Sequence, residues 1–171
     1  GYTTFQVSLI TKKNKNIKNI YALFGDDQSG RIMLIPPSYQ VTRGENIGGV
    51  QPYLSDIIPD LRYDSWLTIG IADGDVNNRL SAVGVNFNDW DENTGMRINN
   101  GAIFIMDPEL DIVTGNEYVI GQFTVLTDSN PEIILNVQGK KMDSLSDSID
   151  EKSWTEENIR FNLISPRISG G

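Results

Sequence analysis

Two acidic turns carry the residues whose types and spacing come nearest to a chemical site. Asp73, Asp75 and Asn77 place oxygen atoms at alternate positions, which is how a calcium-binding loop begins. The match is partial, because an EF-type loop needs Gly at its sixth position and Glu at its twelfth, where this chain has Asn78 and Gly84. The same D-x-D-x-N spacing recurs at Asp89, Asp91 and Asn93. Asp, Asn and Gly are equally the residues of ordinary turns, since their short side chains bond the neighbouring backbone. A calcium site and a plain turn both stay open for Asp73, Asp75 and Asn77.

Aromatic residues offer a second chemistry. Trp66, Trp90 and Trp154, with Tyr39, Tyr53 and Tyr63, could stack on sugar rings, which makes glycans a candidate partner. Trp66 opens an apolar run and reads as structural. Trp90 and Trp154 lie in polar, acidic surroundings and suit a platform better, with packing at the core rim as the competing role.

Catalysis is poorly served. The chain has no Cys and no His, which removes thiolate nucleophiles, the commonest general base and most zinc sites. It has 23 acidic residues. Glycoside hydrolysis needs one pair of carboxyls facing across a cleft, and nothing in the sequence picks out a pair. An enzyme is therefore not expected.

The amino-terminal segment carries a different kind of chemistry, that of assembly. From Tyr2 to Ile10 the chain alternates, with Phe5, Val7 and Leu9 on one side and Thr4, Gln6 and Ser8 on the other. Residues 11 to 18 form a basic tether containing Lys12, Lys13, Lys15 and Lys18. Eight such residues reach roughly 26 Å when extended, far enough to cross to a neighbouring copy. A terminal strand on a tether can pair with its own sheet or add to the sheet edge of another copy. Both arrangements are open.

Charge favours the second arrangement. The first 18 residues carry four Lys and no acidic group, whereas the rest carries 10 basic against 23 acidic residues. Arm and body therefore attract while bodies repel one another. The net charge of −9 argues against nucleic-acid binding, which needs a basic footprint, and against a membrane surface. No apolar run approaches the length of a membrane span, so membrane insertion is not expected.

The elements that must position these groups are short strands. Apolar alternation or compact apolar runs at Tyr2–Ile10, Asn19–Phe24, Arg31–Ile35, Gly101–Met106, Glu117–Leu126, Glu132–Gln138 and Asn158–Ile164 are separated by Gly, Pro, Asn and Asp. Asp64 to Asp91 reads as a central β-hairpin, with Leu67, Ile69 and Ile71 on one strand and Val83, Val85 and Phe87 on the other. Tyr39 to Tyr63 is a long Gly/Pro loop, and Lys140 to Glu157 is the one stretch with plausible short helical content. The fold class is all-β: an antiparallel β-sandwich, jelly-roll or Ig-like, of about nine or ten short strands. The expected organisation is an arm and basic linker at 1–18, a sandwich at 19–164 and a tail at 165–171.

Between Asn19 and Leu126 the runs NIYALFGDD, IPPSYQV, NIGGVQP, DSWLTIGIADGD, NNGAIFIMDP and GQFTVL resemble a β-rich module of exported and surface proteins of aquatic microbes, including protomers of extracellular helical filaments. The resemblance covers about two-thirds of the chain and brings no catalytic signature. It implies an extracellular or cell-surface sandwich that assembles with itself through strand donation. The expected function is a structural filament or surface-assembly subunit, with a carbohydrate-binding or calcium-dependent adhesion module as the alternative.

Overall fold

The structure, a computed structural model, describes residues 1–13, 15–42, 46–142 and 152–167. In chain order the strands are β1 (Tyr2–Ile10), β2 (Ala22–Asp26), β3 (Met33–Ile35), β4 (Trp66–Leu67), β5 (Leu80–Val83), β6 (Met96–Ile98), β7 (Asn100–Ile105), β8 (Glu117–Leu126), β9 (Glu132–Lys140) and β10 (Ser153–Asn162). They form two antiparallel sheets, the all-β sandwich that the alternating sequence predicts. The smaller sheet has the order β1-β8-β4. The larger sheet branches at β9, which pairs with β10 and also with both β2 and β3. Beyond these, β2 continues to β7 and β5, and β3 continues to β6.

Central position explains the composition of β9. Ile133 to Val137 are all buried, without the alternation of a strand that has one wet face. Asn136 is the polar member of that run. Its amide donates to the carbonyls of Phe24 and Ile32 at 2.9 and 3.0 Å, and its oxygen accepts from the Asn158 amide at 2.9 Å. One side chain thus ties β2, the entry to β3, and β10 to the central strand. Between the sheets lies a continuous core in which Leu23, Leu67, Ile103, Ile120, Phe123 and Leu135 are fully buried.

The central hairpin is not formed. Trp66 and Leu67 pair with Gln122 and Gly121 of β8 in the smaller sheet, whereas Leu80 to Val83 pair with β7 in the larger one. The intervening chain crosses from one sheet to the other, turning at Gly70 and Gly74 with φ of 72° and 85°. Leu67, Ile69 and Ile71 are core residues as expected. In the second run, however, Leu80 is the buried residue, Val83 is exposed, and Val85 and Phe87 only flank the core. Two runs with inward apolar faces fill the same core from opposite sides, so alternation finds the faces and not the partners.

The long loop carries regular structure as well. A short helix, α1 (Pro52–Ile57), and a 3-10 turn at Pro59–Tyr63 each begin with proline, whose fixed φ suits a first helical turn. Ahead of them Gly49, at φ 82°, lies so close to Ala72 that a Cβ would stand 2.7 Å from its backbone. Within the stretch Lys140 to Glu157, expected to hold short helical content, Lys152 is helical among the described residues. Lys140 ends β9 and Ser153 to Glu157 begin β10; residues 143–151 lie outside the described set.

Candidate functional site

The amino-terminal strand is seated on its own body. β1 runs antiparallel to β8 from Tyr2 opposite Leu126 to Ile10 opposite Glu117, with one register shift between Val7 and Ser8. Phe5 stands opposite the fully buried Phe123, and Val7 stands opposite Gly121. Val7 is buried, while Phe5 and Leu9 are partly buried against the core. The inward face is the one that alternation assigned. Tyr2 belongs to the opposite face and is exposed. The outer edge of β1 has no strand partner among the described residues, which makes β1 an edge strand.

The basic tether is anchored at both ends. At its start the Thr11 amide donates to the Asn116 carbonyl at 2.8 Å, and the Asn116 side-chain amide donates back to the Thr11 carbonyl at 3.1 Å. At its end the Lys18 amide donates to the Lys140 carbonyl at 2.8 Å. The Lys18 ammonium reaches Glu109 at 2.9 Å, and Lys140 reaches the same carboxylate at 3.2 Å. Hydrogen bonding to Lys18, and then to Lys140, holds the Glu109 carboxyl below its ordinary range. The same bond raises Lys18 above its own. Lys12, Lys13 and Lys15, between the anchors, are exposed. Beneath the tether lies an apolar groove of about 500 Å³, floored by Leu9, Ile17, Ile20, Val137, Trp154 and Ile159. The carboxyl-terminal tail also begins inside the fold. Ser165 is buried and its hydroxyl donates to Thr3 Oγ1 at 3.2 Å, while residues 168–171 lie outside the described set.

The acidic turns use their oxygens locally. Both carboxylate oxygens of Asp75 accept backbone amides, from Arg79 at 2.8 Å and Leu80 at 2.9 Å. The Arg79 guanidinium lies 3.6 Å from Asp73 and 3.9 Å from Asp75, and Asn77 is exposed in the turn. A calcium ion here would have to displace Arg79 from both carboxylates. Asp91 likewise accepts from the amides of Asn93 and Thr94 at 2.8 and 2.7 Å. Among the described residues no group of three or more His, Cys, Asp or Glu side chains is placed to hold a metal ion.

The aromatic candidates separate sharply. Trp66 is buried, as expected. Trp90 is not a platform: it is 2% exposed, its indole N–H donates to the Pro36 carbonyl at 3.0 Å, and its ring packs 6.4 Å from Phe123. Acidic neighbours in sequence hid a core residue, because Asp89 and Asp91 face solvent while the indole turns inward. Trp154 is partly buried over Gly139 and donates its N–H to the Lys140 carbonyl at 3.0 Å. Tyr53 and Tyr63 are exposed, and Tyr39 is half-buried.

Sequence reasoning missed the partner of Tyr39, which is Tyr2, with ring centroids 6.0 Å apart and planes at 54°. The two tyrosines line one cleft of about 560 Å³ together with Thr3, Thr4, Tyr63 and Thr124. The available signal was parity: Tyr2 shares the outward face of β1 with Thr4, two residues on. The Tyr2 hydroxyl donates to Glu92 at 3.2 Å. Partial burial, and then the Glu92 carboxylate, push its pKa above the ordinary phenol value, so the group stays uncharged around neutrality. Comparison of the chain with protein-family profiles, with curated proteins and with solved structures finds no match.

Proposed function

We propose that this chain is a structural subunit of an extracellular filament or surface assembly, polymerising by donation of β1 to a neighbouring copy. The observation that carries the reading is the seat of β1. It is an edge strand, paired among the described residues with β8 alone and joined to the body by a basic tether. Every bond that β1 makes to its own β8 can be made by the same strand of a second copy, which is the low-cost route of strand exchange. Because the contact is heterologous, repetition without ring closure extends a filament. Burial of Phe5, Val7 and Leu9 contributes toward the low end of about 5 to 9 kcal/mol before ordering costs, since Val7 alone is fully buried.

Charge adds direction. A +4 arm and tether meet a body with 10 basic against 23 acidic residues, so head-to-tail contact is attractive. An alternative reading, a carbohydrate-binding or calcium-dependent adhesion module, gains support from the tyrosine cleft.

A cysteine pair tests the exchange. The chain contains no Cys, so Ile10→Cys with Glu117→Cys introduces a single cross-strand pair at exposed, directly opposed positions. Opposed strand positions lie within disulfide range. Oxidised fibres should give a covalent ladder on a non-reducing denaturing gel. Fibres that yield only intrachain bonds would sink strand exchange, and a chain that forms no assembly by electron microscopy would sink the filament reading.

A further inference from the structure

The geometry points to a binding site for a neutral oligosaccharide in the cleft lined by Tyr2, Thr3, Thr4, Tyr39, Tyr63 and Thr124. This inference rests on the adhesion reading, to which it gives a place and a ligand class, and it does not depend on strand exchange. The lining residues are three tyrosines and three threonines, with no charged residue among them. On a chain of net charge −9 such a neutral enclave has nothing to offer an ionic ligand. A sugar ring supplies the complementary chemistry, because its C–H faces stack on aromatic rings while its hydroxyls exchange hydrogen bonds with threonine and phenol groups. The volume, about 560 Å³, lies within the range of small-ligand sites, roughly 300–1,000 Å³.

The walls are set before a ligand arrives. Tyr2 is fixed by its hydrogen bond to Glu92 and by its contact with Tyr39. The Tyr39 amide donates to the Thr124 carbonyl at 2.7 Å, and the hydroxyls of Thr4 and Thr124 bond each other at 2.7 Å, across paired strand positions. Tyr63 closes the 3-10 turn and leaves 54% of its surface in solvent, as Tyr2 leaves 47%. Rings held in place lose little freedom on binding, which is where rigid aromatic sites gain affinity. A second copy of the chain is the competing occupant. Repulsion between acidic bodies opposes it, and six residues fall short of the 20–30 per side, roughly, of a stable interface.

Half of the lining, Tyr2 to Thr4, belongs to β1, and the other half belongs to the body. A sugar in the cleft therefore binds the seated strand and favours that state by mass action.

Isothermal titration of the full chain with cellohexaose, laminarihexaose and mannohexaose tests the assignment. At least one of the three should bind with one-to-one stoichiometry. Tyr39→Ala and Tyr63→Ala should each weaken it roughly tenfold, as expected for loss of one aromatic face. Tyr53→Ala, exposed but outside the cleft, should leave it unchanged. Binding that neither cleft variant weakens overturns the cleft and leaves the adhesion reading standing. Failure of all three sugars to bind overturns both. A wild-type dimer that Tyr63→Ala converts to monomer in sedimentation assigns the cleft to a second copy and overturns the proposal.

Discussion

At Asn136 a single amide serves three strands, and its removal shows what a buried hydrogen bond is worth. Asn136→Leu leaves the carbonyls of Phe24 and Ile32 and the Asn158 amide without their partner. A loss of about 2 to 4 kcal/mol is expected in urea denaturation, since unmet buried groups bear the full desolvation penalty. Asn136→Asp should be no better, because a carboxylate cannot donate to two carbonyls. Trp90 and Trp154 make a matched contrast. Trp90→Ala removes a buried ring and should cost about 3 to 5 kcal/mol. Trp154→Ala should cost less, because the indole is only partly buried at the sheet edge. The same denaturation series measures both.

The tether behaves as a latch whose strength follows from two titrating groups. Glu109, with its pKa lowered by Lys18 and Lys140, contributes above the ordinary carboxyl value of 4.5 and loses that contribution as pH falls through its lowered folded value. Lys18, raised chiefly by Glu109, contributes below its ordinary 10.5 and loses it as pH rises through its raised folded value. The latch is therefore intact between pH 4.5 and 10.5. Acidification below that window should speed amide hydrogen exchange at residues 15–18 ahead of the core, and Glu109→Gln should remove the acid dependence. Neither anchor is legible in the sequence. Glu109 and Asn116 lie about a hundred residues from the groups they hold, in turns whose polar residues look interchangeable. The strands were legible where apolar residues recur at alternate positions, as in β1 and β8, whose ends the sequence pattern locates. β10 begins five residues ahead of the expected Asn158, because Thr155, Glu156 and Glu157 are a polar run without apolar alternation and read as loop. Alternation also cannot say which strand stands beside which, and for that reason two runs of one apparent hairpin are in different sheets. The cleft was half legible: its body tyrosines stood out, but Tyr2 became part of it only once β1 was laid against β8.

For the molecule as a whole, β1 is a member of the fold and, under the strand-exchange proposal, the part passed between copies. Among the described residues, deleting 1–18 leaves the smaller sheet with β8 and the two residues of β4. The truncated chain should melt at lower temperature and fail to polymerise, and a synthetic peptide of residues 1–10 should restore part of the lost melting temperature. Assembly should also weaken as salt rises from 0.05 to 0.5 M, roughly, since screening removes the attraction between basic arm and acidic body. The register adds a temporal dimension. Tyr2 pairs with Leu126, so synthesis releases the first strand 124 residues before its partner exists. At rates of roughly 5 to 20 residues per second the strand waits about 6 to 25 s with its apolar face uncovered. Under strand exchange, a finished neighbour would compete with the nascent chain for it during that interval. Linkage by that route would depend in part on how crowded the site of synthesis is, and refolding at rising concentration should raise the yield of linked copies while leaving dilute chains closed on themselves.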